Sequence, residues 1–353
     1  MTVQMFRCLR EMASARISLE MPPNIDPSRA TLAYGRLALP RLNRELKDDL
    51  LLIRQRAVKT LCDYLHDHEH IAAAVHEGII TSLKHLLRDK DVPVRAMAAE
   101  CFIVFNRGSC NRFTILEHAI GRKAFIDENV LDVLKLLFSS YEPDIVRLNA
   151  HRAVELLSIN PAHCQAIVDA DLIPLLIACA VILDTLNRCL DLNSDAGLNA
   201  GGMQVFTKLL SHHSPEVRGK SAQVILMLTV NPRGRQQAID KETIPALVGL
   251  LNDKDPDVKT SAAGALAFTS VTTHGRYTAI NADAIPNLIR LLVHSHSRVR
   301  VNGLKAITCI AEAPEGRRIL LDHVDHIKKL TADEDAGVRK HANIAVDVIT
   351  WKP

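Results

Sequence analysis

Apolar positions recur at helical spacing along most of the chain, and the stretch Thr243 to Val271 shows the unit plainly. Leu247, Leu250 and Leu251 share one face of a helix with Pro245 in its opening turn, where a missing N–H costs nothing. Asn252 to Asp255 read as a polar turn. Asp255 then stands where it can cap a second helix, with Pro256 at the first position and Asp257 near the positive end of the dipole. That second helix carries Ala262, Ala263, Gly264 and Ala265, small enough for a neighbouring helix to approach closely. Two helices of this size cannot bury their apolar faces alone. They need copies stacked on either side.

The copies lie 41 residues apart. Pro245 recurs as Pro286. Val258-Lys259 recurs as Val299-Arg300 and, backwards, as Val217-Arg218, with Ser214-Pro215-Glu216 as another expected capped start. Leu247, Leu250 and Leu251 map onto Leu288, Leu291 and Leu292, and onto Phe206, Leu209 and Leu210. A third short element precedes each pair and begins at a glycine: Gly234-Arg235, Gly275-Arg276, Gly316-Arg317. Three helices per roughly 40–47 residues is the period of armadillo and HEAT-like repeats. The expected fold is an all-α solenoid of about seven such repeats.

In chain order, residues 1–29 are expected as an arm, disordered or extended, because Met21-Pro22-Pro23 and Pro27 are too proline-rich for helix. Residues 30–353 are expected as the solenoid. Its first repeat starts near Tyr34-Gly35 and Leu39-Pro40, with a third helix from about Ile53-Arg54, and the mark returns at Val94-Arg95. Residues 106–202 are irregular. Val94 to Val146 spans 52 residues, so about eleven are inserted, within Asn106 to Asn129. Val146 to Val217 spans 71 residues, 30 beyond one period. One long apolar helix over Asp171 to Leu192 and a loop over Asn193 to Gly202 are expected there, as a degenerate repeat. The last repeat has Ile327, Leu330, a turn at Asp333-Glu334-Asp335 and a helix whose apolar side is Ala342, Ile344, Ala345 and Val348.

Composition narrows the function. A hydrophobic content of 48% with 4% aromatic suits helices packed through small residues, and a net charge of +3 provides no dominant basic field, so no nucleic-acid partner is expected. The eight cysteines (Cys8, Cys62, Cys101, Cys110, Cys164, Cys179, Cys189, Cys309) form no CxxC pair and read as small buried hydrophobes of a reducing compartment. The longest apolar run, the eleven residues Ile173 to Leu183, is too short to span a bilayer, and no membrane partner is expected. Residues 1–17 are mildly basic and mimic a transit peptide, but a disordered arm is the favoured reading.

Candidate chemistry is sparse. His66-Asp67-His68-Glu69-His70 offers metal-ligand residue types, yet i, i+2, i+4 spacing scatters them around a helix axis, and the run falls at a link between repeats. His212-His213 and His294/His296 also fall in turns. There is no GxSxG, HExxH, P-loop or GxGxxG, and Gly197, Gly201 and Gly202 lack the Lys-Ser/Thr of a phosphate loop. The expectation is a non-enzyme with no catalytic residues, metal, cofactor or small-molecule substrate. In the recurrent Gly-Arg, the glycine is expected to permit a sharp turn and the arginine to bond the carbonyls of the preceding helix end. A ladder of arginines for an acidic partner is the competing reading.

A solenoid of this type lines a concave surface with its third helices. Armadillo proteins that capture extended peptides carry a Trp and an Asn there, four residues apart. The matching positions are Gln223 and Met227, Gly264 and Phe268, Lys305 and Cys309, and none agrees. These six are the candidate partner-binding residues, on a face better suited to a helix or a folded protein than to an extended peptide.

The chain also resembles one family more closely, the armadillo-repeat radial spoke proteins of motile cilia, also called the rhabdoid tumour deletion region family. The resemblance rests on Ser18-Leu19-Glu20, Thr31-Leu32-Ala33-Tyr34-Gly35 and Ala38-Leu39-Pro40. It rests also on Ser261-Ala262-Ala263-Gly264-Ala265-Leu266, Ala311-Glu312-Ala313-Pro314-Glu315-Gly316-Arg317 and Lys352-Pro353. It implies a non-catalytic subunit of the axonemal radial spoke, in the cytoplasm and cytoskeleton of the cilium or flagellum. The implied partners are other spoke subunits, including helices of the spoke backbone. A soluble adaptor for cargo or assembly, and a regulatory subunit of an enzyme complex, are the alternatives.

Overall fold

The computed structural model describes residues 37–67, 69–106, 112–179 and 183–351, and the arm expected at 1–29 lies outside them. The chain divides into two compact units, one up to Val133 and one from Leu134 onward. The first contains α1 (Ala38–Glu45), α2 (Leu51–Leu65), α3 (Glu69–His76), α4 (Ile79–Leu86), α5 (Val92–Asn106) and α6 (Arg112–Asp127). α7 (Val130–Leu134) ends at the boundary. α5 packs on α2 and α6, and its Phe102 meets Phe125 edge-on at 5.3 Å.

The second unit contains a 3-10 turn (Lys135–Phe138), α8 (Asp144–Ser158), α9 (Pro161–Asp169), α10 (Ile173–Cys179), α11 (Leu183–Leu192), α12 (Ser194–Asn199), α13 (Gly202–Leu209) and α14 (Pro215–Val230). It continues with α15 (Pro232–Asp240), α16 (Thr243–Leu250), α17 (Pro256–Thr269), α18 (Thr273–Asn281), α19 (Ala284–Leu291) and α20 (Ser297–Ala311). α21 (Pro314–Leu321), α22 (Val324–Lys329), a second 3-10 turn (Leu330–Ala332) and α23 (Ala336–Thr350) complete it. The third helices α8, α11, α14, α17, α20 and α23 pack each on the next. With α2 and α5 that makes eight helices of this type among the described residues, against about seven repeats expected.

Local chemistry explains the regular units. Asp255 accepts hydrogen bonds from the Asp257 and Val258 amides, at 2.8 and 3.2 Å, so α17 starts as its sequence foretells. Ser214 holds the same position before α14 but makes no side-chain cap. Leu247 and Leu251 are fully buried in the core, with Leu250 at its margin, 9% exposed. Six links from a first to a second helix pass through a left-handed residue: Gly78, Asn129, Asp171, Gly201, Glu242 and Asp283. The α21–α22 link, through Asp322 and His323 at φ -69° and -110°, does not. Gly201, Glu242 and Asp283 recur at 41-residue steps, a mark the apolar pattern does not reveal.

Two corrections concern the irregular region. Asp171 to Leu192 is not one helix. α10 packs on α12, whereas α11 packs on α8, α9 and α14, so they are a second and a third helix in different rows. Asn193 to Gly202 is not a loop either: Asn193 caps Ala196 at 3.0 Å to start α12, and Gly201, at φ 74°, turns the chain into α13. The 71 residues thus hold two complete but shortened repeats. A continuous apolar run hid the break, because periodicity alone does not separate a long buried helix from two short ones. The insert near 106–129 is partly helix: α6 runs 16 residues where the other first helices have six to nine.

The corners of the regular repeats are held by arginine. Arg235 donates to the Thr229 and Val230 carbonyls, Arg276 to Ser270 and Val271, and Arg317 to Ala311, as expected of the Gly-Arg marks. The glycines act differently from expectation. They sit inside the first helical turn with no left-handed φ, and a Cβ at Gly234, Gly275 or Gly316 would run into the Leu228, Thr269 or Ile310 carbonyl oxygen. They permit a close approach rather than a sharp turn.

A second arginine series clamps the turns. Nη1 of Arg54, Arg218 and Arg300 donates to two carbonyls of the turn before its own helix. The same guanidiniums reach forward to Asp89, Asp253 and Asp333 of the next repeat, each pair at 2.8 Å. Burial alone would raise the Asp253 and Asp333 carboxyls. The arginine bond and the amide two residues on outweigh it and hold both below the ordinary carboxylate range. At the end of the array, Arg317 also lies over the Trp351 ring, 5.1 Å from its centroid.

Candidate protein-docking site

The expected metal-like run is a helix end. His66 Nδ1 lies 2.8 Å from the Cys62 carbonyl and His70 Nδ1 lies 3.0 Å from that of Tyr64, on whose ring His70 stacks. His68 lies outside the described residues. His212 and His294 accept the amides of Ser214 and His296, so these turn histidines close their own turns. Cys62, Cys101, Cys164 and Cys189 are buried free thiols; burial pushes Cys101 well up and Cys189 up to about 12, which leaves both protonated and inert.

The six candidate residues do lie along one row of third helices in the second unit, though not all alike. Gly264 is buried, and a Cβ there would meet Leu226 at 2.9 Å and the Asn302 amide at 3.4 Å. It sets the spacing of α14, α17 and α20 and offers no surface to a partner. Gln223 is exposed and accepts from Asn187. Met227 is half-buried.

The remaining three come together. Phe268 from α17 and Lys305 and Cys309 from α20 line a cavity of about 320 Å³ with Ala267, Val271, Thr308, and His341 and Ile344 of α23. Phe268, Val271 and Ile344 keep 37%, 47% and 39% of their surface and together make a contiguous exposed apolar lining. Burial first, and Glu312 second, push the Cys309 thiol up. Burial and then the charges of Lys305 and Lys340 push His341 down. The cavity is thus apolar and rimmed by Lys305, without an acidic side chain in its lining.

Ala267, Val271, Thr308, His341 and Ile344 are the members sequence reasoning missed. Ile344 and Val348 were expected on the apolar side of α23; the residues buried there are Val338, Ala342, Ala345 and Ile349, while Val348 is half-buried and Ile344 exposed. The last repeat runs 39 residues after Val299, and carrying Lys305 forward by 39 lands on Ile344.

No helix among the described residues is long and apolar enough to cross a membrane. In comparisons with solved structures, an engineered protein from the Northeast Structural Genomics Consortium is 22% identical, covers 90% of this chain and 89% of its own, and superposes with a TM-score of 0.67. That likeness shows the fold. A designed armadillo repeat protein, and another in complex with a (KR)4 peptide, are 20% and 19% identical. Each covers 76% of this chain and 98% of its own, with TM-scores of 0.47 and 0.46, too low to bear on the site. Among families, the plant U-box protein ARM repeat region matches residues 148–332. That is more than half of the 353 residues. With its three-helix repeats and stacked third helices, the chain belongs to the armadillo-repeat family described by that region.

Proposed function

We propose that this armadillo-repeat solenoid, a protein-interaction scaffold in its fold, serves as a non-catalytic scaffold subunit of the axonemal radial spoke. It would hold other spoke proteins, including helices of the spoke backbone, in the cilium or flagellum and support motility. The resemblance at Ser261–Leu266 and Ala311–Arg317 favours that identity. The observation that carries a docking role is the apolar cavity framed by Phe268, Lys305 and Ile344 in a row where an asparagine ladder for extended peptides is missing.

A permanent subunit is recovered stoichiometrically with purified axonemes and survives detergent and moderate salt. Complete release into the soluble fraction overturns the scaffold reading in favour of a transient cargo or assembly adaptor.

A further inference from the structure

The cavity between α17, α20 and α23 restricts what can fill it. The neutral amide and hydroxyl groups around it are already engaged within the stack. Asn302 Nδ2 donates to the Thr260 carbonyl at 2.9 Å, Thr308 Oγ1 to Leu304 at 2.8 Å, and Asn343 Nδ2 to Arg339 at 2.9 Å. An extended segment laid across this floor would press its backbone N–H and C=O groups onto Phe268, Val271 and Ile344. Each group left unpaired there costs about 1–3 kcal/mol. A helix satisfies its own backbone and needs only apolar anchors.

Charge selects further. Lys305 and Lys340 are exposed and have no ion-pair partner among the described residues. The nearby Glu312 is bound to Arg276. His341 is the remaining titratable group in the lining besides Cys309. Lys305 in the lining and Lys340, on α23 beside the lining residue His341, are complementary to an occupant with carboxylates beside its anchor.

We propose that this cavity receives the apolar anchor of an acidic amphipathic helix from another protein, whose Asp or Glu side chains pair with Lys305 and Lys340. A helix of about 18 residues is ~27 Å long and crosses three helices packed at roughly 10 Å spacing. The inference names the partner chemistry of the docking role and rests on it.

The test selects displayed peptides of about that length on the full chain from three sets: acidic amphipathic helices, basic amphipathic helices, and proline-containing extended peptides. The wild type enriches the acidic helices alone. Phe268→Ala and Lys305→Glu each weaken the best binder at least tenfold while leaving the helical circular dichroism unchanged, and Lys305→Glu enriches the basic set instead. Enrichment of basic or extended peptides on the wild type, or of no peptide sensitive to both variants, overturns the proposal. So does self-association abolished by Lys305→Glu, which assigns the cavity to a second copy. The docking role fails separately: a Phe268→Ala/Lys305→Glu double variant that stays on axonemes removes the cavity and leaves the scaffold, whereas wild type absent from axonemes removes the scaffold.

Discussion

In the repeats beginning with α15, α18 and α21, a glycine and an arginine close the corner behind each third helix. In the shortened repeat beginning with α9, Cys164 occupies the arginine position and points its thiol at Ser158, six residues back, at 3.4 Å. Arg235, Arg276 and Arg317 reach the same relative carbonyl. Asn160 caps α9 as Asn231 caps α15. The two regions therefore share a backbone plan and differ in how firmly each corner is bolted. The plan is set by caps, left-handed links and buried apolar rows; the arginines add reach.

Four perturbations break or sharpen that contrast. The largest is Gly275→Ala, whose methyl must displace the Thr269 carbonyl. A loss of about 3 kcal/mol is expected in denaturant unfolding, at the upper end for overpacking. A loss below about 1 kcal/mol would show that the glycine corners are no tighter than the Cys164 corner.

The next reads a buried group beside the shortened region. His151 on α8 is 4% exposed, packs edge-on against Phe138, and leaves Nδ1 without a hydrogen-bond partner. Burial, then the charge of Arg147, lowers its pKa from 6.5 to about 4. The unfolded chain therefore binds this proton first. Stability from this group is complete above pH 6.5 and falls as the pH drops towards 4, by about 2 kcal/mol between pH 6.5 and 4.5. His151→Leu should flatten that part of the stability profile, as measured by urea midpoints.

A gain is expected where the clamp is incomplete. Lys259 and His294 stand where Arg218 or Arg300 and Asp253 or Asp333 make their bridges in neighbouring repeats. Installing Lys259→Arg with His294→Asp should add about 1 kcal/mol, with a double-mutant cycle assigning most of it to the pair. The smallest effect is at Glu242, held at φ 56° where Gly201 serves one repeat earlier. Glu242→Gly should be neutral to stabilising by about 0.5–1 kcal/mol, by relief of left-handed strain against a larger unfolded entropy.

The regular repeats were legible because their marks keep register. Asp255, Pro256 and the small residues of α17 behave as their chemistry dictates. The left-handed links were not, since Asn129, Asp171, Glu242 and Asp283 are not glycine and leave no local signature. The α10–α11 break was masked by apolar continuity. At the site, Phe268, Lys305 and Cys309 were found by counting and Ile344 was lost by counting, because one repeat is two residues short. Gly264 failed for a different reason: a residue without a side chain marks a close approach as readily as an opening.

Trp351 is the single tryptophan of the sequence, and it sits beyond α23, under Arg317 and 57% exposed. Its emission is consequently a built-in optical probe of one terminus. In an array whose units couple mainly to their nearest neighbours, fluorescence would follow fraying of α21 to α23 while circular dichroism averages all helices. The gap between the two melting curves is then a direct ruler for how far cooperativity extends along the stack.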